Sequence, residues 1–89
     1  MKLNPEFVLQ QVAGNWIVIP MGQTSLDFNG MITLNEPGVT LWKALEAGGT
    51  IEDLAKALTD EYDVSMELAL QDAAAFVQKL KEDACMKES

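Results

Sequence analysis

The sequence predicts an α+β domain in which a small three-stranded antiparallel sheet is followed by three helices. Three observations carry this. The first third of the chain is rich in β-branched and aromatic residues broken by turn signals, with Phe7–Val12 and Trp16–Ile19 flanking Ala13-Gly14-Asn15. The remaining two thirds hold three apolar patterns of helical period, each opened by a capping residue. The chain has 89 residues, room for one domain, taken here as 1–89, with a single core.

Phe7–Val12 and Trp16–Ile19 are expected to form a hairpin, because Gly14 and Asn15 tolerate positive φ at a tight turn. Pro20 has no N–H for a ladder, so it belongs at or past the end of the second strand. Residues 21–29, with Gly22, Ser25, Asp27 and Asn29, read as a connecting loop. Gly30-Met31-Ile32-Thr33-Leu34 is the third strand.

Asn35-Glu36-Pro37 starts the first helix, with Asn35 as N-cap and an acid and a proline in the first turn. Gly48-Gly49 ends it. Thr50-Ile51-Glu52-Asp53 opens the second helix as a capping box with Asp in place of Glu. Ile51, Leu54, Ala55 and Leu58 then follow the helical spacing. Asp63-Val64-Ser65 breaks the chain, and Ser65 caps a third helix running from Met66 to about Asp83. Lys87-Glu88-Ser89 is expected to fray. Three strands with one apolar face and three short helices pack most economically with the helices on one side of the sheet.

The charge narrows the function classes. Fourteen acidic and six basic side chains give a net charge of −8. Nucleic acid needs a positive footprint, and an anionic membrane surface needs the same. The chain opens without a basic segment and a long apolar run, which favours the cytoplasm. With no histidine, the commonest general base and metal ligand is missing. Ser25 has no base to activate it. Cys85, the only cysteine, is placed at the frayed end of the third helix, where Asp83 disfavours a thiolate. Asp60, Glu61 and Asp63 lack the ligand spacing of a calcium loop. Gly48-Gly49-Thr50 lacks the lysine of a phosphate loop. Trp16 and Trp42 are read as core. The expectation is a binding domain with no catalytic residues, no metal and no cofactor.

Two surface features stand out. The first strand carries edge protection in Pro5, Glu6, Gln10 and Gln11, whereas Gly30–Leu34 has neither charge nor proline. Two placements are open: an unprotected edge, or a strand that is central or covered by a helix. In the third helix Phe76, Ala69, Leu80, Ala73, Ala84, Met66, Val77, Leu70 and Ala74 fall within roughly 160°, wider than the ~100° stripe one core needs. The spare width is either deep core or the wall of a groove. In the second case Leu70 and Ala74, with Lys81 beside them, form the groove margin, and Phe76 and Ala69 form the core margin. An open strand beside a broad apolar helix is the layout of strand addition by a peptide.

These residues resemble the PqqD-like family of peptide chaperones, the recognition elements for ribosomally made, modified peptides. The resemblance spans nearly the whole chain: the hairpin, the passage Gly30-Met31-Ile32-Thr33-Leu34-Asn35-Glu36, the Leu41-Trp42-Lys43-Ala44-Leu45 helix, Thr50-Ile51-Glu52-Asp53-Leu54, Tyr62-Asp63-Val64-Ser65, and Asp72…Phe76…Leu80. It implies a winged-helix-like fold and a leader peptide added as a fourth strand beside the third. The site residues so implied are Gly30, Met31, Ile32, Thr33 and Leu34 on the strand and Met66, Leu70, Ala74, Val77 and Lys81 on the helix. It also implies a partner enzyme, usually a radical S-adenosylmethionine maturase, which would hold its own iron–sulfur cluster. The free-standing members are a better match than those devoted to pyrroloquinoline quinone synthesis. The rival readings are a winged-helix DNA-binding regulator, which the charge opposes, and a structural subunit forming a homodimer through strand three.

Overall fold

A computed structural model of the chain describes residues 2–22, 32–82 and 85–87. The element order is β1 (Lys2–Leu3), β2 (Phe7–Val12), β3 (Asn15–Pro20), β4 (Ile32–Leu34), α1 (Glu36–Glu46), α2 (Ile51–Glu61), α3 (Met66–Glu82) and β5 (Met86–Lys87). The expected three antiparallel strands followed by three helices are thus present. Of the expected third strand, Gly30 and Met31 lie outside the described residues, as do 23–29 of the expected loop and Asp83 at the end of the third helix.

The hairpin turns on two residues, Ala13 (φ 52°) and Gly14 (φ 82°), while Asn15 already belongs to β3. Positive φ at both positions matches the right-handed strand twist. The main sheet has the order β2-β3-β4, antiparallel throughout. Pro20 closes β3 opposite Phe7, where its missing N–H is harmless.

The caps are those the sequence predicts. The Asn35 side chain accepts from the Gly38 N–H at 2.8 Å. Thr50 and Asp53 form a reciprocal capping box, at 3.0 and 3.3 Å. The Ser65 hydroxyl accepts from the Leu68 N–H. Each such cap is worth about 1 kcal/mol. After α1, Gly48 adopts φ 86°, the left-handed conformation that terminates a helix.

The core lies between the sheet and the helices. Val18, Leu34, Trp42, Leu45, Leu54, Leu58, Ala69, Ala73, Val77 and Leu80 are buried. Trp42 is core as expected, whereas Trp16 is half-buried with the Lys43 ammonium 5.2 Å from its ring centroid.

The two chain ends depart from expectation. β1 and β5 pair antiparallel, Lys2 opposite Lys87 and Leu3 opposite Met86. Lys87 is therefore in a strand and not in a frayed tail; Glu88 and Ser89 lie outside the described residues. Cys85 is not at a loose helix end either. It is fully buried, its N–H donating to the Leu80 carbonyl and its own carbonyl accepting from the Asn4 N–H. A two-residue strand has no periodicity to read, and its pairing spans nearly the whole sequence.

Candidate functional site

The hydrogen-bond phase of the sheet decides which backbone groups β4 exposes. The Met21 N–H donates to the Glu6 carbonyl, so residues 15, 17, 19 and 21 direct their peptide groups toward β2. Trp16 and Val18 then direct theirs toward β4, where they oppose Leu34 and Ile32. Thr33, between those two, must turn its N–H and C=O away from β3. Among the described residues β4 pairs with β3 alone, so it is an edge. Of the two open placements, the described residues put β4 at the sheet edge.

The two sheet edges are built differently. On β2 the outward-facing N–H of Phe7 donates to the Asn4 carbonyl at 3.0 Å, and Pro5 precedes it. On β4 the Thr33 side chain is exposed, Ile32 is half-buried and Leu34 is buried.

A groove of about 370 Å³ runs along β4. Its walls are Ile32, Thr33 and Leu34 on one side and Phe76, Lys79 and Leu80 of α3 on the other, with Asn35 and Gly38 at the end. A second hollow of about 500 Å³ continues it past the same Asn35, Gly38, Phe76 and Lys79, reaching Leu41, Leu58, Tyr62 and Val64. Gly38 keeps the junction open. A methyl group there would sit 3.0 Å from Asn35 Oδ1 and 3.4 Å from Leu34 Cβ. The lining is largely apolar, with Lys79 and Asp72 the charged groups. Two other hollows of similar size, one beside Trp16 and Lys43 and one beside Phe7 and Trp42, do not touch β4. Contact with the β4 strand, not size, distinguishes the first groove, which the second hollow continues through the shared Asn35, Gly38, Phe76 and Lys79.

Of the strand residues expected in the site, the described Ile32, Thr33 and Leu34 line the groove. None of Met66, Leu70, Ala74, Val77 and Lys81 lines the groove. Val77 is buried core, Leu70 packs half-buried against the core, and Met66, Ala74 and Lys81 are exposed elsewhere. The wall comes instead from the flank assigned to the core, with Phe76 and Lys79 at its centre. The buried stripe Ala69, Ala73, Val77 and Leu80 is also narrower than 160°. A helical wheel orders residues around an axis, but the rotation of that axis against the sheet is set by packing. Lys79 was the signal available: it lies one turn from Phe76 on the side away from Leu70.

An exposed strand edge beside an apolar groove defines a class, that of domains that bind an extended peptide by adding it to a sheet. The comparisons narrow the class. Residues 7–84 match the family described as coenzyme PQQ synthesis protein D (PqqD), and the chain belongs to that family. No curated protein matches the sequence. Two solved structures are similar over nearly their whole length. One, described as lasso peptide synthetase B1 complexed with the leader peptide, is 28% identical with a TM-score of 0.76, over 99% of this chain and 96% of that one. The other, TbiB1 in complex with the TbiA(beta) leader peptide, has a TM-score of 0.81 at 21% identity, over 100% and 98%, and shows the fold.

Proposed function

We propose that this chain binds the leader segment of a ribosomally made precursor peptide by strand addition at β4, without catalysis of its own, and presents the peptide to a modifying enzyme. The observation that carries the reading is Thr33, whose peptide groups face outward on an edge strand that walls an apolar groove. Main-chain bonds to Thr33 supply affinity for any extended segment. Alternate side chains of that segment enter the groove, where Phe76 and Leu80 favour apolar groups and Lys79 favours an acidic one. Ile32, Thr33, Leu34, Phe76, Lys79 and Leu80 form the proposed site, and Gly30 and Met31 extend it along the chain. Membership of the PqqD family and the leader complex of the 28%-identical neighbour support the same reading. The sequence resemblance favours a radical S-adenosylmethionine maturase as that modifying enzyme. The neighbour's description as a lasso peptide synthetase component favours, as a second reading, an enzyme of lasso peptide synthesis.

Thr33→Pro tests the strand addition. Proline removes the outward N–H and leaves the β3–β4 ladder, which does not use that group, intact. Calorimetric titration with a precursor leader peptide that the parent binds should show affinity reduced about tenfold or more. The melting temperature should stay within a few degrees of the parent. Parental affinity in the Pro variant refutes the model. A parent that sediments as a dimer dissociated by the same substitution would show that the edge pairs with its own copy instead.

A further inference from the structure

Strand addition at β4 is short and unselective. β4 has three residues, and among the described residues only Thr33 turns its N–H and C=O outward from it. Each main-chain bond there is worth at most about tenfold in affinity, and it is the same for any extended segment. The second hollow differs in kind. Its floor is Leu41 of α1 and Leu58 of α2, both buried, and Tyr62, Val64, Ala75 and Phe76 stand around it. At its mouth the main chain is already committed: Pro37 has no N–H, the Gly38 N–H donates to Asn35 Oδ1, and the Val39 N–H donates to the Asn35 carbonyl. The hollow therefore offers a peptide little main-chain bonding. It offers a side chain apolar surface with two aromatic rings. Asp72 and Lys79 are exposed at the rim, two turns apart on α3, and the floor holds no group that could pair with a buried charge.

We propose that this hollow is the specificity pocket of the peptide site, and that it takes one bulky apolar side chain, aromatic or branched, from the part of the peptide that continues past its pairing with β4. The inference rests on the leader-binding reading and names what that site selects. Continuity assigns the occupant. The hollow shares Asn35, Gly38, Phe76 and Lys79 with the groove along β4, so a segment lying in the groove leads into it. Gly38 carries no side chain at the crossing, where even a methyl group would meet Asn35 and Leu34. The groove accepts alternate side chains of any apolar strand. The hollow, at about 500 Å³, adds room for a larger one. A peptide without that anchor keeps the bonds at Thr33 and loses the burial. Selection among peptides then falls on a position outside the paired strand, where β-propensity plays no part.

The probe is a random library of short displayed peptides selected on the parent protein. One selected peptide is then synthesised with each residue in turn replaced by alanine, and the series is titrated against the parent, Thr33→Pro and Ala75→Trp. Ala75 is an exposed position on α3 in the wall of the hollow, so an indole there fills the space from the solvent side and the melting temperature should hold. Ala75→Trp should bind the unreplaced peptide about tenfold more weakly than the parent does. One bulky apolar residue of the peptide should cost about as much when replaced by alanine against the parent, and less than twofold against Ala75→Trp, which has already lost that contact. Parental or tighter binding by Ala75→Trp, with binding lost in Thr33→Pro, overturns the pocket and leaves the leader reading standing. A loss in Ala75→Trp that is uniform across the alanine series means that the indole obstructs the whole peptide, and also overturns the pocket. If the parent selects no peptide, or only peptides that Thr33→Pro binds equally well, the leader reading falls and takes the pocket with it. If Ala75→Trp does not fold, Ala75→Leu, a smaller filling of the same space, decides between the same outcomes.

Discussion

Phe76 and Leu70 stand about 120° apart on α3, at ~100° per residue, on either side of the buried stripe Ala69, Ala73, Val77 and Leu80. Both are large, apolar and half-buried, and both pack on the core. They differ in what lies beyond them. Phe76 borders open space on both sides of the Asn35–Gly38 junction, facing β4 and facing Tyr62. Leu70 borders neither hollow. Two similar side chains on one helix can therefore have separate roles, one split between fold and groove and the other confined to the fold. Partial burial alone does not identify a ligand-facing residue. Partial burial beside the groove along β4 is what places Phe76 in the proposed site.

The largest effect expected from this contrast comes from truncating each flank. Phe76→Ala and Leu70→Ala both delete partly buried carbon, and each should destabilise the fold by about 1–3 kcal/mol, at the low end of core truncations because neither site is fully enclosed. Leader binding should separate them. Phe76→Ala should weaken it about tenfold, in line with the loss of part of an aromatic contact area, and Leu70→Ala should leave it within twofold. Paired thermal melts and titrations give both readouts. Equal losses of binding would erase the distinction between the flanks.

A smaller difference is expected between two lysines near the end of the same helix. Lys79 lines both hollows, while Lys81, two residues on, lines neither. Exposed ion pairs contribute only about 0–1 kcal/mol. Lys79→Ala should therefore lower affinity for an acidic leader by no more than about fivefold and flatten its dependence on salt. Lys81→Ala should change neither quantity. Titrations at low and high ionic strength compare the two directly.

The smallest effect lies away from both flanks and serves as a baseline. At the start of α2 the Thr50 backbone N–H, then its hydroxyl, holds the Asp53 carboxyl below its ordinary value of 3.8. A group with a depressed folded-state value stabilises the fold above its unfolded value, and that contribution is lost as the pH falls through the folded one. Melts of the parent and of Asp53→Asn should therefore differ at pH 7 and converge as the pH falls below about 4. Leader affinity at pH 7 should be the same for both. A binding change in Asp53→Asn would mean that α2 reaches the groove more directly than its position indicates.

What could be read from the sequence was local. The N-caps at Asn35, Thr50 and Ser65 depend on side chains reaching a backbone N–H three residues away, and such contacts are written in adjacent letters. The hairpin and the stop at Gly48 depend on positive φ at one or two residues. The missing edge protection of β4 was legible, but whether the strand is an edge or is central or covered was left open by the sequence. The wall of the groove was not legible, because the breadth of an apolar arc does not say which margin turns toward the sheet. The helix packs through Ala69 and Ala73, small residues whose close approach sets its rotation, and that approach depends on partners far away in sequence. The clasp of β1 and β5 escaped for the same reason: two residues at each end acquire strand geometry only by meeting each other.

That clasp also gives the protein a built-in reporter. Cys85 is the only thiol in the chain, and it has no exposure to solvent while Asn4 is bonded across its carbonyl. A thiol reagent reaches its sulfur only after an opening that uncovers it, so labelling proceeds at the rate or the equilibrium of that opening. The contact joins residues far apart in the sequence, where the entropic cost of closure is high. Comparing the labelling rate with the rate of global unfolding tells whether the ends open first, on the unmodified sequence and with no label added to the groove.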